Sequence, residues 1–184
     1  IAGSAGGRQL KGLPQQGRRA VGAGSRPTSD LVRGAIFSSL ASLDADLSRV
    51  LDLYAGTGAL GIEALSRGAA HCDFVERESP SCEVIRENLR LTGFEEQAQV
   101  ICLAAERALV RLRGKYTLVL ADPPYGDVLA GSVMSMLAAS PLLEEGESII
   151  VLEHGAKEEP AGALGPFALA NSRRHGDSAF SVYR

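Results

Sequence analysis

Apolar positions recur along this chain at two spacings, and the spacing alternates from one segment to the next. From Arg49 onward, "RVLDLYAG" reads as a strand and "ALGIEALSRGA" as a helix ended by Gly68. "HCDFVER" is again strand-like, and "SPSCEVIRENLRLTG" is a helix closed by Gly93. The same alternation continues through "AQVICLAA", "ERALVRLRG", "YTLVLADPPY", "VLAGSVMSMLAAS" and "ESIIVLEH", with Pro141 stopping the last helix. Two more strand-like pieces follow, around Phe167–Asn171 and Ala179–Tyr183. Alternating strands and helices predict an α/β, doubly wound, mostly parallel sheet of seven strands with right-handed crossovers. The last two strands leave no room for a helix between them, so they are expected to form a hairpin with an antiparallel last strand.

The segment before Arg49 is different. "IAGSAGGRQLKGLPQQGRRAVGAGS" has no sustained period and is punctuated by Gly and Pro, so it reads as loop with room for a short hairpin. "RPTSDLVRGAIFSSLASL" then offers Thr28, Ser29 and Asp30 as N-caps. Leu31, Val32, Ala35, Ile36, Leu40 and Leu43 recur at helical spacing. Residues 1–45 are therefore read as an N-terminal arm with an amphipathic helix, and residues 46–184 as the main domain.

Composition alters the picture at one place. A chain of 184 residues with 45% hydrophobic and 22% charged residues is an ordinary soluble domain with a real core. No apolar run approaches the ~18 residues of a membrane span, and the first thirty residues carry no apolar signal region. Cys72, Cys82 and Cys102 are scattered, as reduced thiols of a cytoplasmic protein would be. His71, His154 and His175 lack ligand spacing, so no metal is expected. Charge is where the reading shifts. The chain is −3 overall, yet residues 1–33 hold Arg8, Lys11, Arg18, Arg19, Arg26 and Arg33 against Asp30 alone. A basic arm on an acidic body suggests either a solubilising tail or a contact to nucleic acid.

Candidate chemistry lies at strand ends. Gly56, Gly58 and Gly61 fit G-x-G-x-x-G between a strand and a helix, and Glu76 closes the next strand, placed to meet ribose hydroxyls. Two ligands suit such a turn. A dinucleotide would put its pyrophosphate at the helix N-terminus. S-adenosylmethionine has an ammonium and a sulfonium instead. Asp52, just before the turn, would repel a pyrophosphate and attract the cationic methionine end. "DLYAGTGALGIEAL" thus resembles the first motif of Rossmann-like S-adenosylmethionine-dependent methyltransferases. Tyr54 and Arg77 join Asp52, Gly56, Gly58, Gly61 and Glu76 as candidate cofactor contacts.

"DPPY" ends the fourth strand and faces the same crevice, because ligands of such sheets bind beyond the carboxyl ends of the strands. An exocyclic amine on a base is a poor nucleophile. Asp122 and the Pro123 carbonyl can each accept one of its N–H bonds, and Tyr125 can stack the base. The quartet resembles the [DNS]-P-P-[YFW] motif of amino-methylating nucleic-acid methyltransferases.

Taken in order, "AGSAGGRQLKG", "RPTSDLVRGAIFSSL", "LDLYAGTGALGIEALSRGA" and "ADPPY" look like the bacterial 16S ribosomal RNA guanine-N2 methyltransferase family. The resemblance implies methyl transfer from S-adenosylmethionine to one guanine of 16S RNA within a small-subunit assembly particle, by a monomer. It implies catalysis by Asp122, Pro123 and Tyr125, with Asp122 also near the cofactor. RNA contacts are then expected from Arg8, Lys11, Arg18, Arg19, Arg26, Thr28 and Arg33. The chain departs from relatives at "CLAAER": Ala104 has no side-chain acceptor, so adenine recognition should fall to the Ala105 backbone. Two other readings remain open, a DNA adenine-N6 methyltransferase and a non-catalytic RNA-binding assembly factor.

Overall fold

A computed structural model of the chain describes residues 1–13, 30–124 and 126–184. Its centre is one sheet. The parallel strands are β1 (Arg49–Leu53), β2 (His71–Glu76), β3 (Ala98–Cys102), β4 (Leu118–Ala121) and β5 (Ile149–Gly155). β6 (Ala163–Leu164), β7 (Phe167–His175) and β8 (Ser178–Tyr183) complete it in the order β3-β2-β1-β4-β5-β8-β7-β6. β8 runs antiparallel to β7, as the short link between the last two strands requires, and also to β5. Eight strands replace the expected seven; the extra one, β6, is two residues long and pairs only Ala163 with Ala168 and Leu164 with Phe167. So short a piece has no period from which to read it.

The helices are α1 (Asp30–Ser42), α2 (Ala59–Ser66), α3 (Ser79–Thr92), α4 (Ala105–Arg111) and α5 (Ala130–Ala138). β1, β4 and β5 are apolar on both faces because helices cover both. Val50, Leu118, Leu120 and Val151 share one cluster with residues of α1, α2 and α3, while Leu51, Leu53, Val119 and Ile150 share another with α4 and α5. α3 closes on Gly93 in the left-handed conformation, φ 81°.

α1 buries Val32, Ile36, Phe37 and Leu40 in the same cluster as Val50 and Val182. The sequence division at residue 45 therefore separates segments that share one core. The first residues are docked as well. Gly3–Ala5 forms a 3-10 turn, and no strand appears among the described residues of the arm. Ala2 N–H donates to Glu63 Oε2 at 3.1 Å, and Ala5 N–H to Ser66 Oγ at 2.8 Å. No helix among the described residues is long and apolar enough to cross a membrane.

Candidate active site

The sheet fixes where the candidate residues emerge. Leu53 pairs with Ala121, and Ala121 with Leu152. Asp122 therefore leaves β4 between the ends of β1 and β5, beside the glycine turn. The turn itself is bent to an unusual degree. Tyr54, Gly56 and Gly58 all have positive φ, at 71°, 55° and 79°. Tyr54 in that region is strained, and such strain gathers at functional sites. Gly58 is the residue before α2, and Asn88, fully buried on α3, donates from Nδ2 to Thr57 O at 2.9 Å to hold the loop. Sequence reading passed over Asn88, since one Asn in an amphipathic helix carries no signal by itself.

The glycines divide into two roles. A Cβ on Gly61 would meet Phe74 Cε1 at 2.3 Å and Cys72 Sγ at 2.8 Å, so Gly61 lets α2 press onto β2. A Cβ on Gly56 would meet nothing within 4 Å, so its bareness leaves open space above the turn.

Three carboxylates gather about the turn. Glu76 ends β2 and braces the turn, accepting from Gly56 N–H through Oε2 and from Glu78 N–H through Oε1, each at 2.9 Å. Asp52, 1% exposed, lies beneath the turn and accepts from Gly61 N–H at 2.8 Å. Burial pushes its carboxyl up to about 7, against the pull of the Gly61 bond, and the charges of Asp122 and Glu76 add to the rise. Asp122 is half-buried. Such a gathering of acids at one edge favours a cationic ligand and opposes a pyrophosphate.

The other candidates fall as follows. Arg77 is exposed and pairs with Glu78 at 3.1 Å. Tyr54 is half-buried, and burial pushes its hydroxyl up to about 12. Ala104 caps α4 in an extended conformation, and Ala105 is the first helical residue, so its N–H has no acceptor within the helix. Pro123 and Pro124 border a cavity of about 310 Å³ that runs between α5 and the end of β5, past Met134, Leu152 and Leu164. Tyr125 lies outside the described residues, as do Arg18, Arg19, Arg26 and Thr28. Glu153 was also passed over; it is 5% exposed and follows the last β4–β5 pair. A lone acid in "IIVLEH" is the signal that could have found it.

The basic arm needs correction. Arg33 is not offered to solvent: it is 7% exposed, with its guanidinium 3.2 Å from Glu63 and 2.6 Å from Asp30. Its place on the stripe of Phe37 and Leu40 explains this. Arg8 donates to Leu91 O at 2.6 Å, and Lys11 pairs with Glu87 at 3.1 Å, so both tie the N-terminus to α3.

The sheet order, the glycine turn and the acid closing the second strand together define a Rossmann-like α/β domain of the methyltransferase type. The solved structure of yhhF from Escherichia coli shares it at 30% identity with a TM-score of 0.82, over 100% of this chain and 94% of that one. The chain belongs to the family described as Conserved hypothetical protein 95, whose model matches residues 1–184. YlbH of Bacillus subtilis (strain 168) is 33% identical over 187 residues, covering 100% of this chain and 97% of YlbH. The protein of Escherichia coli (strain K12) named Ribosomal RNA small subunit methyltransferase D is 31% identical over 164 residues, covering 88% of this chain and 80% of that protein.

Proposed function

We propose that this protein transfers a methyl group from S-adenosylmethionine to the exocyclic N2 amine of one guanine in 16S ribosomal RNA. The observation that carries the reading is the emergence of Asp122 beside a bare glycine turn ringed by carboxylates. The name of the Escherichia coli relative supports ribosomal RNA of the small subunit as the substrate. The resemblance of D-P-P-Y supports an amine as acceptor.

The residues present fit the cofactor. The open space at Gly56 leaves room for its methionine end, Glu76 offers carboxylate oxygens to ribose hydroxyls, and the Ala105 N–H, without an acceptor inside α4, is free to meet an adenine nitrogen. Asp52 acts from below the turn, through its charge on the methionine ammonium. When bound, S-adenosylmethionine supplies an electrophilic methyl group on a sulfonium. Asp122 and the Pro123 carbonyl hold the two N–H bonds of the acceptor amine, which aims its lone pair out of the ring plane. With the cofactor held there, the amine would take up its methyl group, the sulfonium would leave as the neutral thioether, and Asp122 or water would accept the surplus amine proton. Both prolines keep these acceptors fixed, so little reorganisation is needed. Tyr125 is assigned the stacking face, and the cavity beyond Pro123 is the acceptor side of the site.

Mass-spectrometric mapping of modified nucleosides in 16S RNA, with and without the gene, tests the reading. One N2-methylguanosine should vanish in the deletion and return on adding the purified protein and S-adenosylmethionine. Methylation of DNA adenine in place of RNA, or an unchanged nucleoside map, would overturn it.

A further inference from the structure

We infer that the outer end of the β7–β8 hairpin, with Lys157, Arg173 and Arg174, is a docking surface for the phosphate backbone of the substrate RNA. The inference rests on the RNA methyltransferase reading above. Strand direction is its first ground. β5 runs parallel to β4, β8 antiparallel to β5, and β7 antiparallel to β8. β7 therefore climbs the same way as β4, and its last residues emerge on the edge where Asp122 ends β4. Three strand spacings separate β4 from β7 in the sheet, about 14 Å. An RNA whose target base reaches Asp122 passes this hairpin with its neighbouring nucleotides.

Charge is the second ground. Arg173, Arg174 and Lys157 are all exposed, and none takes part in an ion pair among the described residues. By contrast Arg49, Arg67, Arg86 and Lys115 each face a carboxylate. The described cations of the N-terminal arm are turned to α3 or buried, so they leave this work to other residues. The third ground is that the three cations are held together. Gly155 pairs with Ser178, and Ala156 N–H donates to Asp177 O at 3.0 Å, which fastens the Lys157 loop to the hairpin turn. Arg173 and Arg174 point to opposite faces, yet both faces are open there. Among the described residues only β8 pairs with β7 beyond Leu169. Glu158 and Glu159 follow Lys157 in its loop, and Asp177 lies in the hairpin turn.

Charged side chains on an exposed edge strand also serve to block edge-to-edge pairing. Reversal to Glu preserves that service and inverts the attraction for phosphate, so it separates the two. The experiment titrates small-subunit ribosomal RNA, purified from cells lacking the gene, with the full chain and with a triple variant, Lys157→Glu, Arg173→Glu and Arg174→Glu. Arg111→Glu, an exposed cation at the far end of α4, is the control. Between 50 and 200 mM salt, the triple variant should bind at least about tenfold more weakly at the low end, with the slope of log K on log salt flatter by about 2–3. Its S-adenosylmethionine affinity and melting temperature should match wild type, and the control should bind normally. Wild-type affinity and slope in the triple variant would overturn the surface, as would a loss seen only with ribosomal proteins present, which would make the partner a protein. A wild-type chain that transfers no methyl group to this RNA, either naked or assembled with small-subunit proteins, overturns the parent reading and the surface with it.

Discussion

Two carboxylates meet at helix α2, one on it and one beneath its first turn, both shut away from water, and their environments are opposite. Glu63, 2% exposed on α2 itself, meets Arg33 at 3.2 Å, Arg67 at 2.7 Å and the Ala2 N–H. Burial pushes its carboxyl up, but these partners outweigh burial and hold it below the usual range. Asp52, 1% exposed beneath the glycine turn, accepts from the Gly61 N–H and has Asp122 and Glu76 near it, and is pushed up to about 7. The difference teaches where the fold stores stability and where it stores function. Around Glu63 the chain neutralises a buried charge and so binds its N-terminus and α1 to α2. Around Asp52 it assembles negative charge at the edge where a cationic ligand would complete it.

Removing Glu63 breaks the first arrangement outright. Glu63→Ala leaves Arg33 buried without its inner partner, and denaturant unfolding should show a loss of about 3 kcal/mol. Activity of the remaining folded protein should change little. An unaltered midpoint would mean that the pair contributes no net stability.

Substitutions at Asp122 break the second arrangement at its reacting end. Asp122→Asn keeps an acceptor oxygen and loses the charge, while Asp122→Ala loses both. Turnover should fall in that order, on the order of 10²–10³-fold for Ala, as for deleting one preorganised polar group. Cofactor affinity should hold nearly constant in both. Equal damage from Asn and Ala would indicate that charge, not acceptance, is what the site requires.

Asp52→Asn sharpens the comparison through pH. An acid whose folded pKa lies above its unfolded value binds more protons when folded. Its native state is therefore favoured at low pH and loses stability as pH rises from about 4 to about 7. Asn can still accept from the Gly61 N–H but carries no titrating group. Relative to wild type, the variant should gain on the order of 2–3 kcal/mol between pH 5 and pH 8. Parallel stability curves for the two proteins would place the Asp52 titration elsewhere.

Much of this arrangement was legible in the chain, for physical reasons. Strand and helix periods in "RVLDLYAG" and "ALGIEALSRGA" fix the βα unit, and an acid closing the second strand falls beside the turn because parallel strands end together. The C-terminal hairpin followed from the short link between its strands. What stayed hidden depends on partners far apart in sequence. Glu63 meets Ala2 across 61 positions and Arg33 across 30. Counting charge treats Arg33 as a surface cation, although it shares the buried stripe of Phe37. Likewise the chain places Asp52 just before the glycine turn, while its carboxylate turns to the first turn of α2. Periodicity reports which face is buried, not which buried charges find each other.

The central claim is that the acidic crevice at Gly56 takes a cation, and calorimetric titration with S-adenosylmethionine across pH 5.5 to about 8.5 tests it most directly. Below about 7 Asp52 carries a proton that the ammonium must displace, so affinity should rise with pH, by at most about tenfold per unit, and level off above 7. NAD, with its pyrophosphate, should not bind measurably at any pH in that range. Tight binding of NAD with none of S-adenosylmethionine would contradict the account.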